Sequence, residues 1–334
     1  MRAKGFTAAL SRRRLLQLGA AGGLMLLSGC RRGLRSPQLL AAPGTLPRSW
    51  QSQLPSPWAI REPSGLELWP ATDRAPVDLV AMNDGWLASV APNRLQPIQA
   101  EPLEQQLGGT ARRYLQQLGA DQTGRVLPVG VSPWVMLFRN GSQWLDAARQ
   151  GWDVLLEPDL QGKVVLPASP RFVIELADRM SSDAALLRLR GQLLTMDDRQ
   201  ATNWLLKDEA RVVVLPLQRC MALLRRDPRL MAVLPDSGAP LNWTLLVRPA
   251  DTQEPLPQAW VEMAWQSPLQ EKLVLEGWWP APAVGAVEIS QELSAGLRDL
   301  LQPSSDVWQR CWSLPPLGAA EGEKQVERWN RSTP

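Results

Sequence analysis

The sequence predicts an α/β fold with largely parallel sheets. Short apolar runs such as Val77 to Met82, Arg211 to Pro216 and Leu241 to Pro249 alternate with stretches of helical periodicity, the pattern of strands joined by crossover helices. Helix-start signals sit just after some of these runs, as at Ser169-Pro170, a capping side chain followed by a first-turn proline. The chain has 334 residues, about 305 without the leader described below, enough for two domains with proper cores.

Residues 31 to 76 are rich in Pro, Ser and Arg, with Leu39 to Ala42 as a short first strand. Val77 to Met82 is the first firm strand, and it runs through Asn83-Asp84-Gly85-Trp86 into a turn and a helix start. A helix follows over Leu103 to Leu118. The extended stretch GRVLPVGVSPWVMLFRNG contains two prolines, which argue against one uninterrupted central strand. Trp144 to Leu155 reads as helix, Lys163 to Leu166 as strand, and a capped helix starts at Ser169. Two helical stretches, DAALLRLRGQLL and DDRQATNWLLKDEA, lead to the strand Arg211 to Pro216, a helix around Cys220 to Arg225 and the strand Leu230 to Pro235. The strand Leu241 to Pro249 precedes a long helix, PQAWVEMAWQSPLQEKLVLEGWW, and the last dozen residues read as a disordered polar tail. Open α/β sheets bind ligands beyond the carboxyl ends of their strands. That rule selects Asn83 to Trp86, Ser169 to Arg171 and Leu217 to Arg219 as cleft segments.

The amino terminus is an address rather than a span. Leu15 to Leu27 is too short for the roughly 20 apolar residues a spanning helix needs, and five basic residues precede it, as in an export leader. Ser11-Arg12-Arg13-Arg14-Leu15-Leu16 resembles a twin-arginine signal. Leu27-Ser28-Gly29-Cys30 resembles the bacterial lipobox, which implies cleavage before Cys30 and lipid attachment to its thiol. Removing residues 1 to 29 changes the charge balance. The whole chain holds 36 basic and 33 acidic residues, but the leader takes five of the former and none of the latter. A near-neutral mature chain lacks the basic surface that nucleic-acid binding requires, and the pairs Arg112-Arg113 and Arg225-Arg226 read as solvated helix faces.

Several chemistries are excluded by residue type. The chain has no histidine, which removes Ser-His-Asp and Cys-His nucleophilic arrangements. Cys220 and Cys311 cannot fill a tetrahedral sulfur site, so neither metal nor cofactor is expected. The two thiols either pair or stay apart. Asp197-Asp198 reads as a helix cap before RQATNWLL, and Trp260, Met263 and Trp265 as packing or partner contact. Sixteen Trp stand beside one Tyr and three Phe, and indoles are the strongest cation-π walls for ammonium ligands.

In order and spacing, VDLVAMNDGWLASVAPNRLQPI, VGVSPWVMLFRNG, GWDVLLEPDLQGKVVLPASPRFVIELADRM, ARVVVLPLQRC, LNWTLLVRPA and LEGWWPAP resemble the spermidine/putrescine-type solute-binding proteins of ABC importers. The resemblance runs from about Val77 to Leu317. It implies a two-lobed periplasmic-binding-protein fold of type II, with two mixed, mostly parallel sheets flanked by helices and joined by two hinge strands. Residues 1–29 are then the signal peptide and 30–36 an anchored linker. Residues 37–129 with 244–285 form one lobe, 130–243 with 286–317 the other, and 318–334 a polar tail. Gly130 suits a hinge that absorbs changes of φ and ψ. The implied protein is a monomeric, membrane-anchored periplasmic receptor that hands a small solute to permease subunits and has no enzymatic activity.

Carried over to this chain, the resemblance places Trp86 and Trp243 at the family's aromatic positions, with Thr45, Trp134 and Trp279 as further candidates. The acids that grip amines in that family are not matched at Ser169 to Phe172 or at Trp243-Thr244-Leu245. Asp84, beside Asn83, either restores one acid or caps a helix. Ser169 and Arg171 form either an anion site at a helix start or, through Arg171 and Glu175, an i,i+4 ion pair. The ligand is thus a polyamine or another small organic solute. The alternative is an anchored binding or assembly factor that kept the fold without a transport ligand.

Overall fold

A computed structural model describes residues 35–63, 77–283, 287–291 and 293–333. The leader and Cys30 lie outside the described residues. Among the described residues no helix is long and apolar enough to cross a membrane. The described residues form eleven strands: β1 (Gln38–Ala41), β2 (Ala59–Arg61), β3 (Leu79–Asn83), β4 (Leu95–Gln96), β5 (Val126–Arg139), β6 (Val164–Val165), β7 (Leu193–Thr195), β8 (Val212–Pro216), β9 (Leu230–Val233), β10 (Leu241–Pro249) and β11 (Trp279–Pro280). They hydrogen-bond in the order β2-β1-β3-β10-β5-β8-β6-β7, with β11 and β9 also on β5 and β4 on β10. The sheets are more evenly mixed than expected. Parallel pairing is confined to β1 with β2 and β3, and to β6 with β7 and β8. Every pairing made by β5 or β10 is antiparallel.

β5 organises the molecule. Its first eight residues pair with β10 and β11, and from Trp134 onward it pairs with β8 and β9. One strand thus passes from one half of the protein to the other. The expectation that two prolines interrupt this stretch is corrected by where they fall. Gly130 stands opposite Thr244 and Pro128 opposite Leu245, so the ladder shifts by one residue around Val129. Pro128 sits at that bulge, where a missing N–H costs no ladder bond. The freed Val129 carbonyl accepts the Ala281 N–H (3.0 Å) and the Trp265 indole N–H (2.8 Å). Pro133 lies opposite Leu241, the first residue of β10, just before β5 changes partners.

The cores follow this division. One is built from residues between Leu39 and Val131 together with Leu241 to Ala281. It includes a reciprocal clasp in which the Trp50 and Trp260 indoles stack at 4.3 Å and each donates to the other's backbone carbonyl, at 3.0 and 3.2 Å. In the other half, strand residues alternate between two clusters. Met136, Phe138, Val164, Val212 and Val214 enter one, and Val135, Leu137, Val165, Val213 and Leu215 enter the other. A sheet buried on both faces needs such unbroken apolar strands, which is why RVVVLP shows no polar alternation.

Several expected helices are shorter. Leu103 to Leu118 is two helices, Glu101–Glu104 and Gly109–Gln116. They part at Gly108, where a Cβ would meet the Ala283 backbone nitrogen at 2.8 Å. Trp144 to Leu155 is the helix Leu145–Gln150 and a 3-10 turn, Trp152–Leu156. The long carboxyl-side helix is Gln258–Ala264 and Leu269–Leu275, because Pro268 has no N–H to continue the ladder. Asp197 and Asp198 do not cap: Asp197 pairs with Arg199 at 2.9 Å and Asp198 with Arg219, while Gln200 precedes the helix Ala201–Leu206. The tail is ordered, forming the helix Ala319–Arg331. Arg328 binds Asp178, and the Arg190 guanidinium lies 4.0 Å above the Trp329 ring. Cys220 and Cys311 are both free.

Candidate functional site

The site grows from the end of β3. Asn83 closes that strand, and the chain enters a 3-10 helix, Asp84–Ser89, without a side-chain cap. β10 runs alongside with Thr244 opposite Asn83, which leaves the Trp243 amide just beyond the end of β3. The Asp84 carboxylate takes it, Oδ1 accepting from Trp243 N–H at 3.1 Å. A side chain therefore continues the ladder, while the same carboxylate also faces the Asp84 and Gly85 N–H groups of the first 3-10 turn. Asp84 is 6% exposed. Burial lifts its pKa from 3.8 to about 7, against the lowering effects of the Trp243 N–H, its own N–H, the Arg171 charge and the Gly85 N–H.

Trp243 is buried. Its ring stacks on Tyr114 at 5.1 Å, and its indole N–H donates to Ser313 Oγ at 2.8 Å. Tyr114 comes from the helix Gly109–Gln116, is fully buried, and has a hydroxyl without a hydrogen-bond partner. Its pKa is pushed up by burial and by the Asp84 charge. Arg171 arrives from the other half, as the second residue of the helix Pro170–Ala177. Ser169 caps that helix as expected, accepting Phe172 N–H at 3.3 Å. Arg171 and Glu175 do not close to an ion pair, although Glu175 acts on Arg171 through its charge; Arg179 binds that carboxylate at 3.1 Å. Instead one Arg171 Nη donates to the Leu314 carbonyl at 3.2 Å, and its Nε has no partner. Burial lowers the Arg171 pKa, while Glu175, Asp84 and Tyr114 raise it. Ser313 and Leu314 are consecutive, so one chain segment receives both Trp243 and Arg171.

The remaining candidates divide. Thr45 is buried and tied in: its hydroxyl reaches Asn83 Oδ1 at 3.5 Å, and its carbonyl accepts Thr244 Oγ1 at 3.4 Å. Trp278 Nε1 donates to the same Thr244 hydroxyl at 2.9 Å. Trp86 is 38% exposed and lies outside the buried cluster. Trp134 and Trp279 are taken up by packing, against Phe172 at 4.7 Å and Trp308 at 5.2 Å. Sequence reasoning missed Tyr114, Ser313 and Thr244. Tyr114 carries one signal in retrospect, since it is the single tyrosine of the chain. Gln218 lies in a cleft segment selected above, and its Nε2 donates to the Gly44 carbonyl at 3.3 Å. That bond joins the loop after β1 to the helix after β8. Among the described residues no three Asp, Glu, Cys or His cluster as a metal site would require.

A chain crossed by β5, with ionisable groups from both halves meeting beside β10, defines the type II periplasmic-binding-protein fold. Solved structures show the same architecture. A spermidine/putrescine ABC transporter protein of Listeria monocytogenes has a TM-score of 0.60 at 14% identity, covering 89% of this chain and 98% of that one. The PotD lipoprotein of Treponema pallidum has a TM-score of 0.60 at 12% identity, covering 89% and 99%. A periplasmic thiamin-binding protein has a TM-score of 0.57 at 14% identity, covering 89% and 96%. No protein-family model matches the sequence, and no curated protein matches it significantly. At these identities the likeness is one of fold.

Proposed function

We propose that the chain is the extracytoplasmic solute-binding receptor of an ABC importer, without chemistry of its own. The observation that carries this reading is the cluster of buried Asp84, Tyr114 and Trp243 with half-buried Arg171. It draws an acid, a base and two aromatic rings from elements on both sides of β5 into one place. Similarity of fold to proteins described as spermidine/putrescine transporters and a thiamin-binding protein supports the same class. In this reading one lobe combines residues 37–129 with 244–285, the other 130–243 with 286–317. The separation of the core clusters on either side of Val131 and Trp134 is in keeping with it. The lobes part to admit the solute, and the Gln218 to Gly44 bond is one of the contacts that re-forms on closing. Export by the twin-arginine route, lipid attachment through Cys30, a monomeric state and delivery to permease subunits complete the proposal.

The test is ligand-dependent stabilisation. A bound solute raises the melting temperature by mass action and changes the emission of Trp243, which lies in the cluster. Polyamines, amino acids, organic acids and phosphate are titrated against both signals. At least one is expected to saturate both, and a panel that leaves both flat overturns the receptor reading in favour of an assembly factor.

A further inference from the structure

Asp84 and Arg171 are the charges of opposite sign in the cluster; Glu175, which also acts on Arg171, is already paired with Arg179 at 3.1 Å. Asp84 follows β3 and Arg171 follows β6, and they lie in each other's field without closing to an ion pair. Elsewhere this chain does close such pairs, as at Arg211 with Asp208 (2.8 Å) and Arg139 with Asp208 (3.0 Å). Two donors in the same cluster are unused, the Tyr114 hydroxyl and Arg171 Nε. The hydroxyl belongs to a fully buried residue stacked on Trp243. A buried donor without a partner carries a desolvation cost that an acceptor on a ligand removes.

We infer that the solute of this receptor is a small zwitterion, its ammonium group facing Asp84 and its acidic group taken by Arg171 and the Tyr114 hydroxyl. This rests on the receptor reading and adds the ligand class. Charge balance selects it. With Asp84 ionised, it and Arg171 together are neutral, so a solute leaves no net charge buried only if it is neutral overall, and among neutral solutes a zwitterion is the one that answers both charges. A polyamine brings several positive charges to a site that already holds Arg171. A dicarboxylate or phosphate sets an anion against Asp84. The Trp243 ring beside Tyr114 offers an apolar wall for the carbon chain between the two ends.

Isothermal titration calorimetry on the purified protein tests this, with the ω-amino acids from glycine to aminohexanoate set against spermidine, succinate and inorganic phosphate. At least one ω-amino acid is expected to bind about tenfold or more tighter than the other three. Asp84→Asn keeps an acceptor for the Trp243 amide and removes the negative charge. It should lose at least about tenfold for the ω-amino acid and gain a preference for butyrate. Arg171→Gln should lose the same ligand and gain a preference for butylamine. The groups facing Asp84 are Arg171, Tyr114 and the Trp243, Asp84 and Gly85 amides, so ω-amino acid affinity in the unsubstituted protein should weaken from pH 8 to pH 5 as the carboxylate takes up a proton. Near-ultraviolet circular dichroism of each variant monitors folding. Saturable binding of spermidine, succinate or phosphate with no ω-amino acid binding overturns the zwitterion and leaves the receptor intact. Binding of none overturns both, and equal loss of amine and acid ligands in the two variants overturns the assignment of ends.

Discussion

Asp84 makes the stability of this protein depend on pH where most proteins would blur the effect. Its folded pKa is raised from 3.8 to about 7, so the folded state holds a proton that the unfolded state has released throughout that interval. Stability therefore falls as pH rises from about 4 to about 7 and is level above it. A shift of about three units at about 1.4 kcal/mol each corresponds to about 4 kcal/mol in total, of which about 3 kcal/mol lies between pH 5 and pH 8. The window is clean because the chain has no histidine and the Cys220 and Cys311 thiols are pushed up to about 12 and about 11. Urea denaturation at pH 5, 6, 7 and 8 should show the unsubstituted protein losing about 3 kcal/mol. Asp84→Asn, which cannot ionise and still accepts the Trp243 N–H, should be flat across the same range. Parallel curves for the two proteins would refute the burial argument, because some other group would then set the slope.

Two substitutions probe the surrounding packing. A Cβ on Gly130 would lie 2.0 Å from the Trp278 ring, whose Nε1 donates to Thr244. Gly130→Ala should thus cost about 2–4 kcal/mol in urea titrations, the sum of overpacking and a disturbed buried hydrogen bond. Combining it with Trp278→Leu should cost less than the two single changes added together. Tyr114→Phe removes a buried hydroxyl without a partner. It should leave the ligand-free protein unchanged or stabilised by about 1 kcal/mol while weakening the solute that saturates the fluorescence signal. A destabilised Tyr114→Phe would show that the hydroxyl already has a partner in the free protein.

Strands were legible where both faces of the sheet are buried. Leu241 to Pro249 is observed as β10 residue for residue, buried along its whole length with Asn242, Thr244 and Arg248 included, and the unbroken apolar run Val212 to Pro216 is β8. The Ser169 cap and Pro170 start were legible for a similar reason, since capping chemistry is local. Asp84 was harder. In sequence it stands two residues before Trp86 and reads as a cap or as an acid of the site, and only β10, more than 150 residues away in sequence, supplies the Trp243 amide that its carboxylate accepts. The ordered tail was missed because the helix Ala319–Arg331 is held by Asp178 and Arg190, partners from distant segments. Gly130 reads as a hinge in sequence; in the fold its missing side chain is space for the Trp278 ring.

The alternation of apolar runs with helical stretches determined an α/β fold and selected the segments that supply Asp84, Arg171 and Gln218. The absence of histidine, read from the residues alone, removed Ser-His-Asp and Cys-His arrangements and also leaves Asp84 a clear pH window. Tertiary structure decided which charges meet. Asp84, Tyr114, Arg171 and Ser313 are scattered along more than 200 residues, and the shared strand β5 with its neighbour β10 brings them together. Propensity and capping act within a few residues, whereas burial and electrostatics act through space. A carboxylate that the sequence presents as ordinary therefore becomes, once buried beside β10, a group that titrates near neutrality.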